Sequence, residues 1–425
     1  MPDKSKIYGR GSPEADLNAA ELAAIVKESL QSLAVNSRVL AIIPDKTRDD
    51  NTDLLFPTAA RILAEKGASK FDALVAQGTH APMSEAEKLA KIGVSSRDEI
   101  SNLGNIFDHE WNCPEALTQI GELGAEKVRE ISGGLINRAV PLTINKLLAP
   151  GNYDLILVFG GVVPHEVAGF AGGAKYFFPG VSGAELTHAT HWLGALAGIE
   201  NVIGRIETPT RRLIETAADF IVPTITNFAS VVTRNENNRL RTHALFAGDF
   251  RSSFRKAAEI SRKIHIKYTG RKFKRVVALL DEHYEELWVG GKASYKLGGV
   301  IEEGGELIIY APHLRCVSET HGALIERFGY APLEKIKALL VESGELQINL
   351  CVAAHLAHVA FAGKNADKFS ARFQITLASQ IDAETCRRLN LNYSDYRNFR
   401  LEIYENDSDT LVVERAGCDL YLVGA

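Results

Sequence analysis

Cysteine is scarce in this chain of 425 residues. The five (Cys113, Cys316, Cys351, Cys386 and Cys418) are odd in number and never at C-x-x-C spacing. That excludes a disulfide scaffold and a zinc ribbon, and makes a reducing cytoplasm the simplest setting. A basic surplus is also lacking: 48 Lys and Arg stand against 53 Asp and Glu, a net charge of −5. Phosphate-backbone binding needs a basic surface, so nucleic acid is not the expected partner, although a local basic pocket for a small anion stays allowed. No apolar run approaches the roughly 20 residues that cross a bilayer. The opening MPDKSKIYGRGSPEAD has no apolar core, so neither a signal peptide nor a membrane span is predicted. Low-complexity tracts and short-period repeats are absent. What remains is ordinary globular composition, 46% hydrophobic and 24% charged, with length for two or three domains.

Apolar runs alternate with helical patterns. Short strands are predicted at 39–43, 71–76, 105–107 and 153–159, with helices at 18–34 and 57–66 and a capping box at Ser84–Glu87 opening another. Residues 210–265 read as mixed helix and strand. A basic stretch containing Gly270 suggests a boundary there. A second unit follows, with strands at 274–280, 307–310, 373–378, 401–405 and 420–423 and helices at 284–297 and 332–342. The expected fold class is therefore α/β: two α/β domains, 1–270 and 271–425, with mainly parallel sheets flanked by helices. The active site is expected in the interdomain cleft, and the last strand is free to return to the first domain. Ligands of such sheets sit beyond the C-terminal ends of the strands. Three predicted strands end there in Asp45–Arg48, Gln77–His80 and Gly160–His165.

The stretch from Val158 to Trp192 is the richest in chemistry-bearing types, holding His165, Lys175, His188 and His191 among many glycines. Glycine allows backbone to approach a ligand, and Lys175 among small residues suits a covalent cofactor link. Arg48 is the type that holds a carboxylate or phosphate through a planar fork. His80 and His165, from different loops, suit acid/base work on two faces of one carbon, or metal ligation. His188 and His191 lie at i, i+3, and either could ligate a metal. H-E-x-x-H, Walker A and G-x-G-x-x-G patterns are all missing.

Taken together, DKTR at 45–48, GTH at 78–80 and PHEVAGFAGGAKYFFPGVSG at 164–183, with His191 beyond, resemble the lactate racemase family. The resemblance covers most of the first domain and extends more weakly into the second. It implies an isomerase that inverts C2 of a 2-hydroxy acid by reversible hydride transfer to a nickel-pincer nucleotide. In that family pattern Lys175 carries the cofactor through a thioamide and His191 coordinates nickel. Asp45, Thr47, Gly172 and Gly173 fall at cofactor-binding positions. His80 and His165 match the acid/base pair, while Arg48 and Lys292 match substrate-binding positions. Implied partners are the small-molecule substrate and the enzymes that make the cofactor. Around Lys292 the lactate enzymes have a Tyr-Gln pair where this chain has Trp288-Val289, and no Trp follows Trp288. A 2-hydroxy acid other than lactate is therefore expected. Two other functions use the same residues: a Lys175 Schiff-base or pyridoxal enzyme, and a protein that stores the nickel cofactor.

Overall fold

A computed structural model describes residues 6–360 and 370–424. The chain forms two compact units, each drawing on three segments. The first comprises Met1–Val163, Phe170–Thr187 and Thr210–Ile264; the second comprises Pro164–Gly169, His188–Pro209 and His265–Ala425.

The first unit is built on a seven-stranded sheet. Its spatial order is Tyr8–Gly11, Leu240–Gly248, Thr224–Arg234, Leu155–Gly161, Arg38–Pro44, Lys70–Ala76, Ile106–Phe107. The last five in that order are mutually parallel, and the first two pair antiparallel at one edge. Leu155–Gly161 is buried throughout, which is why it reads as one apolar run without alternation. Phe159 stacks on Phe228 at 4.9 Å, with Phe56 at 6.0 Å, beneath the strand ends. Following the chain, strands add to one side from Arg38–Pro44 to Ile106–Phe107. They then return to the other side at Leu155–Gly161. The order therefore reverses between Arg38–Pro44 and Leu155–Gly161, the place where open α/β sheets bind ligands.

The second unit holds a five-stranded, all-parallel sheet ordered Asn392–Asp395, Gln374–Ser379, Ile301–Ala311, Phe273–Leu279, Thr410–Val413. The final strand, Leu420–Leu422, pairs with Ile266–Tyr268 in this same unit. The α/β class with parallel-rich sheets is thus as expected.

Several elements differ from the sequence reading. Residues 401–405 are not a strand: Glu402–Glu405 is a short helix with Ile403 70% exposed. Five residues of apparent alternation are too few to separate the two periods. The helix placed at 57–66 runs from Thr52 to Glu65 with Pro57 inside it. Its first turn is tied down by Asp50, whose Oδ1 accepts the Thr52 N–H at 2.8 Å. The antiparallel pair Leu117–Leu123 and Val140–Asn145, connected through helix Ala125–Ser132, was not anticipated. Gly290–Gly291 do divide the 284–297 segment, into Leu287–Gly290 and Lys292–Leu297. All five cysteines are free thiols. No helix among the described residues is long and apolar enough to cross a membrane.

Candidate active site

In the first unit the loop after Arg38–Pro44 brings Asp45, Thr47 and Arg48 to the reversal point. The loop after Lys70–Ala76 brings His80. His80 Nδ1 lies 2.9 Å from Asp45 Oδ2, so the two strand ends meet in a carboxylate–imidazole pair. The other oxygen of Asp45 accepts from the Thr47 N–H at 2.8 Å and from its hydroxyl. Burial pushes the Asp45 carboxyl up. His80, Arg48 and Thr47 outweigh that and hold it well below the usual carboxylate range. Asp45 is therefore an anion fixed on the imidazole. In neutral His80 it fixes the proton on Nδ1 and leaves the Nε2 lone pair for chemistry.

The loop is anchored at several points. Lys91 Nζ donates to the Arg48 carbonyl and to Asp50, both at 2.8 Å. Arg234 grips Asp49 with Nε and Nη2 at 2.7–3.0 Å, and Lys46 pairs with Glu87 at 2.7 Å. Positions this rigid suit a preorganised site. Lys91 and Arg234 were invisible to sequence reasoning, because their partners lie 41 and 185 residues away.

Lys175 sits on a short 3-10 turn, Gly173–Tyr176, and is half-buried. The Gly78 N–H donates to the Gly180 carbonyl at 3.0 Å, joining the His80 loop to the Lys175 segment. Gly172 (φ +96) and Gly173 (φ +60) both need the left-handed region. The room left by their missing side chains is filled by protein. A Cβ on Gly172 would lie 2.7 Å from Val162 Cγ2, and one on Gly173 2.9 Å from Phe254 Cβ. These glycines serve the turn and its packing.

Tyr176 was overlooked by sequence reasoning, although it adjoins Lys175. Its hydroxyl lies against Gly160, where a Cβ would come within 1.9 Å of it. Burial first, then Asp50, push the phenol up against the opposing pull of Arg48, so it stays a neutral hydroxyl. Gly160→Ala is expected to displace Tyr176 and cost about 1–3 kcal/mol by overpacking. Urea denaturation of the purified protein checks this; an unchanged midpoint would contradict it.

The end of the Lys175 segment is held by His109. Its Nε2–H donates to the Ser182 carbonyl at 2.9 Å, and its Nδ1 accepts from Asn145 at 3.3 Å. Burial pushes the His109 pKa down to about 4, against the opposing effect of the Ser182 bond. An ordinary histidine titrates near 6.5. The unfolded chain therefore binds the extra proton first, and stability is lost as pH falls from about 6.5 to about 4, by roughly 3 kcal/mol in full. Urea midpoints at pH 7 and pH 5 test this. The wild type should lose more stability than His109→Gln over that interval, and equal losses would contradict the assignment.

The second unit holds His165, His191 and Lys292. His165 is buried; its Nδ1 accepts the Val167 N–H at 3.1 Å, and Glu166 Oε2 lies 3.3 Å from the same atom. The two contacts suit different states. Accepting from Val167 defines a neutral ring with its proton on Nε2. Once Nδ1 is also protonated, Glu166 is the acceptor in position. His188 Nδ1 accepts the Cys351 N–H at 3.3 Å, at the start of helix Leu350–Ala360, so it caps that helix. Trp288 lies against His321 and His355, with ring centroids at 4.5 and 4.2 Å. Burial pushes His355 well below the ordinary histidine range, and His358, His321 and His191 add to the effect. His191 thus adjoins a set of buried imidazoles. Lys292 is half-buried, with Nζ 5.7 Å from the centroid of the Tyr284 ring.

Among the described residues no three His, Cys, Asp or Glu side chains are arranged to hold a metal ion by themselves. A ligand carrying most of its own donors asks less of the protein. Imidazole suits nickel, and His191 supplies one. Lys175 supplies a primary amine on a constrained turn. Gln77, in the loop leading to His80, is 3% exposed and its Oε1 has no hydrogen-bond partner among the described residues. A buried acceptor of this kind is one that a bound polar group satisfies. In the first unit, an amine on a constrained turn and an unsatisfied buried acceptor are thus of the chemistry that a lysine-anchored polar cofactor requires.

Comparison with known proteins gives a consistent result. Residues 4–202 match the family model of the lactate racemase N-terminal domain. The lactate racemase of Lactiplantibacillus plantarum is 29% identical over 169 residues, which are 39% of this chain and 35% of that protein. That of Thermoanaerobacterium thermosaccharolyticum is 30% identical over 164 residues, 38% and 34% respectively. The chain therefore spans about a third of the length of the curated relatives it matches. A crystal structure of a Thermotoga maritima protein superposes with a TM-score of 0.88 at 32% identity, covering 96% of this chain and 98% of that one. The lactate racemase apoprotein of T. thermosaccharolyticum gives 0.71 at 20% identity over 99% and 96%, a likeness of fold.

Proposed function

We propose that this chain, whose residues 4–202 match the lactate racemase N-terminal domain, is a racemase or epimerase acting at C2 of a 2-hydroxy acid. The cofactor proposed is a nickel-pincer nucleotide, tethered to Lys175 and ligated by His191. The observation that carries the reading is the Asp45–His80 pair at the reversal point of the sheet. It is a base held in one tautomer, where ligands of this architecture bind.

When bound, such a cofactor supplies reversible hydride acceptance from C2. The rest falls to the chain. His80 takes the hydroxyl proton at Nε2, with Asp45 stabilising the imidazolium that forms. His165, its cationic form supported by Glu166, returns a proton to the oxygen. The roles exchange in the reverse direction. Arg48 binds the substrate carboxylate with its planar fork, and Lys292 offsets the remaining charge.

The substrate proposed is not lactate. Trp288, only 9% exposed and packed on two imidazoles, stands with Val289 where the lactate enzymes have a Tyr-Gln pair. A different C2 substituent is expected to be accepted. The test is a chiral assay of short 2-hydroxy acids and sugar acids. It uses protein co-expressed with the enzymes that make the cofactor and supplied with nickel. Inversion of at least one acid, faster than that of lactate, is the expected result. No inversion of any by nickel-loaded protein would defeat the reading.

A further inference from the structure

Arg211 is 0% exposed, among the largest fully buried side chains of the molecule, and lies outside every motif discussed above. Its Nη1 donates to the Gly172 carbonyl at 3.0 Å, and its Nη2 donates to the Phe170 carbonyl. The guanidinium plane lies over the Phe254 ring, with Cζ 3.9 Å from the centroid. Phe254 is also the residue against which Gly173 packs. The Lys175 backbone N–H donates to the Gly172 carbonyl at 3.3 Å. One carbonyl therefore receives both the buried arginine and the backbone of the lysine.

We infer that Arg211 is a positioning residue for the turn that presents Lys175, and through it for covalent loading of that lysine; the second half rests on the reading of Lys175 as a tether. Gly172 and Gly173 adopt the left-handed conformations the turn needs, but a Gly-Gly pair is the softest backbone available. Arg211 supplies the missing stiffness. It pins two carbonyls on either side of Ala171 while its face is fixed on Phe254. Taking a guanidinium out of water is costly, and the two carbonyls and the ring face offset part of that cost. A planar fork satisfies two carbonyls and one ring face together, which an ammonium on a flexible stem cannot do. Arg211→Lys is accordingly expected to behave much as Arg211→Met does.

The first arm of the test is amide hydrogen exchange on the full-length protein without cofactor, read by peptide mass. In Arg211→Met the peptides over 170–180 should exchange at least tenfold faster, with strands Arg38–Pro44 and Leu155–Gly161 unchanged. Unchanged exchange over 170–180 in a folded variant overturns the inference. If Arg211→Met does not fold, Phe254→Leu keeps the arginine, removes its platform and should give the same local acceleration. The second arm measures adduct mass on Lys175 after co-expression with the cofactor-making enzymes. Arg211→Met should carry less than a tenth of the wild-type occupancy. Equal occupancy, with the turn loosened, reduces Arg211 to a stabilising role and also overturns the inference. If the wild type carries no adduct, the tether reading fails, and the exchange arm alone decides whether Arg211 locks the turn.

Discussion

Asp45→Asn is expected to slow racemisation by roughly 10²–10⁴-fold while leaving the fold intact. Asp45 is an anion on Nδ1 of His80, and the consequence is a lone pair on Nε2. An asparagine in the same place can turn its amide NH₂ toward Nδ1. That stabilises the other tautomer, in which Nε2 carries a hydrogen and cannot take one. Thr47 would still hold the remaining oxygen, so the loop should keep its shape. His80→Ala should fall in the same range. The double variant should be little worse than His80→Ala alone, because the two groups act as one unit. Steady-state rates in both directions check this. A wild-type rate in Asp45→Asn would show that the pair is a structural contact.

Lys175→Ala is expected to abolish covalent loading and lower racemisation at least about a thousandfold, since a tether replaces an encounter at low concentration by a permanent one. The side chain is half-buried on a turn whose shape depends on Gly172, Gly173 and Arg211. The melting temperature should therefore change little. Loss of activity with an unchanged melting temperature assigns the lysine to chemistry. Equal losses of both would assign it to the fold.

How much of this was legible beforehand follows from the reach of each interaction. The parallel strands declared themselves because burial on both faces writes an unbroken apolar run, as in Leu155–Gly161. Asp45, Arg48 and His80 were legible because each directly follows such a strand, and parallel topology sends those ends to one edge. The pairing of Leu117–Leu123 with Val140–Asn145 was not, since Leu117–Leu123 is mostly half-exposed and carries no clean period. Residues 401–405 misled for the opposite reason, as a brief alternation on an exposed helix. The glycines before Lys175 were read as room for a ligand. Their neighbours Val162 and Phe254 show them to be packing and backbone requirements. Arg211 could not have been found, because its partners are main-chain carbonyls about 40 residues away, and carbonyls have no sequence signature.

The central claim is that Lys175 bears the cofactor. The direct test is the mass of the denatured full-length protein, purified in active form after co-expression with the cofactor-making enzymes, followed by peptide mapping. A covalent adduct confined to the peptide containing Lys175, absent from Lys175→Ala, is expected in protein whose racemisation depends on nickel. Active protein with no adduct on Lys175, or with a borohydride-trapped aldimine there and no need for nickel, would contradict it.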